Sequence, residues 1–124
     1  MAAQISGELR DIKERALKSM LSYMEREEGE DDFDDYSKED IERCASILDG
    51  YLSSVLEPSM HGKSEGIMAA VKTAVLELND LNEQCEHSLI ETDQREDICE
   101  LIIAAASLAG LGENGDITEE WREW

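Results

Sequence analysis

Six carboxylates stand in pairs three residues apart: Glu83 with Glu86, Asp93 with Glu96, and Asp97 with Glu100. On a helix, a three-residue step puts both groups on one face, where they share a hard divalent cation and a bridging water. Such pairs suit metal-dependent hydrolysis, with Glu83, Glu86, Asp97 and Glu100 as the candidate ligand set. A quarter of all residues are acidic, however, so such spacings also arise by chance. Cys85 and His87 lie two apart with Cys99 further on, but a structural zinc site wants two close ligand pairs. The second pair is missing, and His61 belongs to a different loop. Buried cysteines beside a surface histidine are therefore expected rather than a metal centre. The Glu-x-x-His signature of di-iron bundles is absent. So are G-x-S-x-G, the P-loop and G-x-G-x-x-G. With two histidines as general-base candidates, an enzyme is the second reading, and no cofactor is expected.

Two stretches offer binding chemistry instead. The run from Glu25 to Asp35 (EREEGEDDFDD) has eight acidic residues among eleven and includes Glu27, Glu28, Glu30, Asp31, Asp32, Asp34 and Asp35. Mutual repulsion and the loss of apolar period make it a solvated acidic loop, at about 25–36. The second stretch, LNDLNEQCEHSLIETDQRED, sets Asn82, Glu86, His87, Asp93 and Arg95 around two adjoining helix ends. Polar groups there either cap the helices or form a recognition surface beside the bundle end, and capping is the expected role. The spaced carboxylates resemble those of all-α nucleotide pyrophosphohydrolases, but differ in pair identity and order and lack a basic cluster for phosphates.

The elements that must position these groups are helices. Ile5, Leu9, Ile12, Leu17, Leu21 and Met24 recur at helical intervals and predict a first helix over about 4–26. Gly7 weakens its first turn. Phe33 or Tyr36 is expected to anchor the acidic loop. Ser37 is the N-cap of a second helix over about 38–57, with Ile41, Cys44, Ala45, Leu48, Leu52, Val55 and Leu56 inward and Pro58 as its stop. Ser64 is the expected cap of a third helix over about 65–86, carrying Ile67, Val71, Ala74, Val75, Leu78, Leu81 and Cys85. Met68 and Leu76 broaden that face. Leu89 and Ile90 in the link should cover one end of the core. Thr92 or Asp93 caps a fourth helix over about 93–109, with Ile98, Leu101, Ile102, Ala105, Ala106 and Leu108 inward. Gly110 supplies its left-handed stop and Leu111 the following contact. Ile117, Trp121 and Trp124 predict a short C-terminal helical tail that folds back on the bundle, or makes a homodimer through Trp121 and Trp124. The expected fold class is all-α: a single-domain antiparallel bundle of four main helices spanning residues 1–124.

Composition narrows the function. Eleven Lys and Arg against 31 Asp and Glu leave a net charge of −20. A phosphate-backbone binder needs the opposite sign, so no nucleic-acid partner is expected. An anionic membrane surface is disfavoured likewise. The longest mainly apolar run, Leu101–Leu111, is shorter than the roughly 20 residues of a membrane span. The N-terminus lacks the apolar core of a signal peptide, and Cys44, Cys85 and Cys99 all fall in predicted helices. Both features point to a reducing cytoplasm. Such charge on so small a domain exceeds the magnitude of roughly 2–8 that solubility asks for. An acidic surface steers a basic protein partner and speeds association. In composition the chain resembles bacterial immunity proteins that neutralise cationic nuclease toxins, and proteins that mimic nucleic-acid charge. The expected function is thus a small acidic binding protein, in an immunity or inhibitor role, with the hydrolase as alternative.

Overall fold

Apolar side chains at helical spacing build four α-helices: α1 (Gly7–Glu28), α2 (Lys38–Val55), α3 (Ser64–Gln84) and α4 (Thr92–Leu108), with a short 3-10 turn at Pro58–Met60. The structure, a computed structural model, describes residues 7–28, 36–85, 87, 89–111 and 117–124, and the side chains of 23–28 lie outside that description. Among the described residues there is no strand. The principal packing pairs are α1 with α4 and α2 with α3, while α3 and α4 touch each other little. Neighbours run antiparallel. From Arg15 to Ser19, α1 meets Asp97 and then Gln94. From Lys13 to Met20, it meets Asp49 and then Tyr36. One contiguous apolar core draws on all four helices.

On α1 the phase differs from expectation. Leu9, Ile12, Ala16 and Met20 are buried, whereas Leu17 and Leu21 pack only at the margin. A helical step of about 3.6 residues from Leu9 lands on Ile12, Ala16 and Met20. Leucine carries the stronger apolar signal, but the small, buried Ala16 lets a neighbouring helix approach. Ile5, Phe33 and the Met24 side chain lie outside the described residues. α1 also continues to Glu28, through the start of the expected acidic loop. Glutamate is a good helix former, and no breaker stands before Gly29. Tyr36 anchors the far side of that stretch: its buried hydroxyl donates to the Met20 carbonyl at 2.8 Å.

Ser37 caps α2 as expected, and its N–H donates to Asp40 Oδ2 at 3.0 Å. The stripe on α2 includes Tyr51, whose buried hydroxyl donates to the Ile102 carbonyl of α4 at 2.7 Å. α3 buries the apolar set expected of it, but Leu76 is 45% exposed and does not broaden the core. Leu108, at the end of α4, is 56% exposed and also leaves the expected stripe. Two caps move by one residue. Lys63, not Ser64, precedes α3, and its carbonyl takes the first helical bond from Ile67. Glu91 precedes α4, and its N–H donates to Gln94 Oε1 at 3.0 Å.

Leu89 and Ile90 are buried in the α3–α4 link. α4 stops at Gly110 (φ 98°). There the Leu111 N–H bonds the Ala106 carbonyl and the Gly110 N–H that of Ser107, a Schellman ending with Leu111 buried. A Cβ on Gly110 would lie 3.0 Å from the backbone nitrogen of Gly62. That close approach lets the Gly62 N–H reach the Ala109 carbonyl at 2.7 Å, tying the α2–α3 connection to the end of α4.

The C-terminal segment corrects the expected helical tail. Ile117–Trp121 is a turn, in which the Trp121 and Arg122 amides both bond the Thr118 carbonyl. Asn79 of α3 then takes up the Trp121 carbonyl and the Glu123 N–H. Those backbone groups are the ones a continuing helix would need.

Candidate functional site

Of the twelve expected binding residues, Asn82, His87, Asp93 and Arg95 have described side chains. Glu30, Asp31, Asp32, Asp34, Asp35 and Glu86 lie outside the description, and Glu27 and Glu28 are placed only by their backbone in the last turn of α1. Asn82 is buried. Its Oδ1 accepts the Ile90 N–H at 2.9 Å and its carbonyl accepts the His87 N–H at 2.7 Å. Asn82 therefore shapes the turn after α3, as capping requires. His87 is exposed with a left-handed backbone (φ 61°), Asp93 is exposed on the first turn of α4, and Arg95 is half-buried.

Of the four carboxylates of the metal alternative, Glu83, Asp97 and Glu100 are described and Glu86 is not. Asp97 Oδ1 accepts Arg15 Nε at 2.9 Å and Glu100 Oε2 accepts Arg15 Nη2 at 3.3 Å, across the α1–α4 seam. The bond to Asp97, then its charge, raises the already high Arg15 pKa. Glu83 is exposed on α3. Among the described residues, no three His, Cys, Asp or Glu side chains converge as metal ligands.

The thiols are buried and free. Burial pushes Cys44 up to about 12, reinforced by nearby Cys85. Burial pushes Cys85 up to about 11, with the charge of Asp40 and a hydrogen bond to it adding to the shift. Neither is a nucleophile near neutral pH. Cys99 sits under the C-terminal segment, 2.9 Å from Arg122 Nη1 and 3.5 Å from Thr118 Oγ1. The Arg122 guanidinium also lies 5.6 Å from the Trp124 ring centroid. With the Asn79 bonds, this segment bridges α3 and α4 where their direct packing is thin.

Among the described residues, the outer seam between α2 and α3 is shaped to receive another molecule. Two hollows follow one another along it, of about 600 and 510 Å³, and share Glu77 on their walls. The first is rimmed by Glu39 and Glu42 of α2 and Glu77 and Asp80 of α3, over the apolar Ile47 and Leu81. Its cation, Arg43, is engaged with Gln84 Oε1 at 3.2 Å and lies 3.7 Å from Asp40. The second is walled by small residues, among them Gly50, Ser54, Ala69 and Thr73, together with Tyr51 and with Met60, whose side chain lies over Gly66. None of these residues was singled out from the sequence as part of a site, and Leu81 was expected only as core. A signal was present: Glu39, Arg43, Ser46, Gly50 and Ser54 recur every three or four residues on the polar face of α2. The pairing of that face with Gly66, Ala70, Thr73 and Glu77 of α3 is tertiary, and periodicity in one helix does not report it.

No protein-family model, curated protein or solved structure matches this chain.

Proposed function

We propose that this chain is a small non-enzymatic binding protein that docks on a basic protein partner, in an immunity or inhibitor role. The observation that carries this reading is its uncompensated charge, 31 acidic side chains against 11 basic, for a net −20. The basic side chains Lys13, Arg15 and Arg43 are engaged with the chain's own carboxylates. An excess this large repels itself across a small fold, and a cationic partner relieves it. A polyanionic surface also repels nucleic acid and anionic lipid, and no described helix is long and apolar enough to cross a membrane. Three buried, unpaired thiols favour a reducing, cytoplasmic setting. A heterologous partner is favoured over a homodimer, because Trp121 and Trp124 pack on the chain's own core. The hydrolase alternative is not favoured, because two of its four carboxylates are engaged with Arg15.

The test begins with cross-linking in the source cell to identify the partner, followed by stopped-flow association with the purified protein. The partner should be net positive, and its association rate should fall steeply with NaCl while dissociation changes less. An acidic partner, or an association rate indifferent to salt, overturns the reading. Release of pyrophosphate from nucleoside triphosphates with Mg²⁺ or Mn²⁺ overturns its non-enzymatic half.

A further inference from the structure

We infer that the α2–α3 seam is the seat of a cationic amphipathic helix from the protein partner. The inference rests on the basic-partner reading and adds the docking element and its place. Three observations carry it. The two hollows are collinear, since the residues lining α2 run from Glu39 to Ser54 while those lining α3 run back from Gln84 to Gly66. At about 1.5 Å per residue the α2 stretch spans roughly 22 Å, the length of about four helical turns.

Secondly, the seam changes character along its length in a way that suits one occupant. Ile47 and Leu81 give the first hollow an apolar floor beneath a carboxylate rim. In the second, Gly50, Ser54, Ala69, Ala70 and Thr73 give low walls that a third helix can approach, as ridge-into-groove packing requires, and Met60, whose side chain lies over Gly66, adds an apolar contact. A helix with an apolar stripe flanked by Lys or Arg satisfies both, burying its stripe while its cations meet Glu39, Glu42, Glu77 and Asp80. Thirdly, charge selects among occupants. Four carboxylates, Glu39, Glu42, Glu77 and Asp80, outnumber the single guanidinium of Arg43, so the rim is net negative. A second copy of this chain, itself at −20, is repelled from that rim, and so is an anionic membrane.

The experiment uses two fluorescein-labelled peptides of about fifteen residues, a length set by the seam. One is a Leu/Lys sequence with its leucines on one helical face; the other is the same composition scrambled. Affinity is read by anisotropy against the whole chain and four variants. The rim variant carries Glu39→Gln, Glu42→Gln, Glu77→Gln and Asp80→Asn. Two plugs, Ala69→Trp and Thr73→Trp, fill the small-residue hollow from exposed positions. A charge-matched control carries Glu8→Gln, Asp11→Asn, Glu14→Gln and Glu96→Gln, all exposed elsewhere on the bundle. Circular dichroism selects the variants that fold, and either plug suffices. The amphipathic peptide should bind more tightly than the scrambled one. The rim variant and the plug should each weaken it by about tenfold or more, and the control by less than about threefold. Equal losses in rim and control, or a plug without effect, overturn the helix seat and leave the basic-partner reading standing. Binding of neither peptide at low salt overturns both.

Discussion

The Asn79 amide is satisfied on both sides by the C-terminal segment: Nδ2 donates to the Trp121 carbonyl at 2.8 Å, and Oδ1 accepts the Glu123 N–H at 3.0 Å. Replacing it with alanine leaves two partly buried backbone groups without partners, a loss of about 1–3 kcal/mol. Both tryptophans of the chain lie in this segment, so Asn79→Ala should red-shift the intrinsic emission and open the chain near Ile117 to protease. Unchanged emission would show that Trp121 and Trp124 hold the segment by packing alone. A second residue-scale effect appears in alkali. Burial lifts the thiols of Cys44 to about 12 and Cys85 to about 11, from an ordinary 9.0. Between pH 9 and those values the unfolded chain has released protons that the folded chain still holds. Their contribution is therefore complete below about pH 9 and declines as pH rises through the folded values. Denaturant melts from neutral to pH 11 should show this loss, and Cys44→Ala should lessen its slope by up to about 1.4 kcal/mol per pH unit. Parallel slopes in the two proteins would mean that Cys44 ionises freely in the fold.

At the scale of elements, the stripes of α3 and α4 both line the common core. Leu78 and Ile102 are both fully buried. Truncation to alanine at either should cost about 2–5 kcal/mol, because the transfer energy of the lost carbons adds to that of the cavity left behind. Denaturant melts losing less than about 1 kcal/mol at both sites would mean that these faces collapse without cost. The helices were legible because burial demands period, and α3 displays it plainly from Ile67 to Cys85. α1 was harder, since Ala16 and Met20 carry a weaker apolar signal than Leu17 and Leu21, yet geometry places them inside. Cap positions moved because more than one residue near each helix start can satisfy its amides, and backbone geometry selects among them. At the site level, Asn82 was legible as a helix-end polar group. The groove was not, for it exists only between two helices whose polar faces look ordinary when read singly. The bridging role of Asn79 was equally hidden, because its partners lie more than 40 positions away in the chain.

On the scale of the whole molecule, charge and packing oppose each other. The bundle buries one continuous core, while 20 more negative than positive charges share its small exterior. Local pairs such as Lys13–Asp49 and Arg15–Asp97 relieve a part of this repulsion across helix seams. Their side chains are largely or partly solvated, so each pair contributes little on its own. What remains acts over distances comparable to the Debye length, which shrinks from about 10 Å at 0.1 M salt to about 3 Å at 1 M. The unfolded chain spreads the same charge over a larger volume, so screening relieves the folded state more. Thermal melts in rising NaCl should therefore show an increasing Tm through the first few hundred millimolar. The rim variant, with fewer carboxylates along the α2–α3 seam, should start from a higher Tm and gain less from salt. Sodium chloride is the proper titrant, since sulfate would add its own strengthening of apolar burial. A Tm that stays flat or falls in NaCl would mean that the native arrangement already compensates its charge, and a cationic partner would then have little repulsion to relieve.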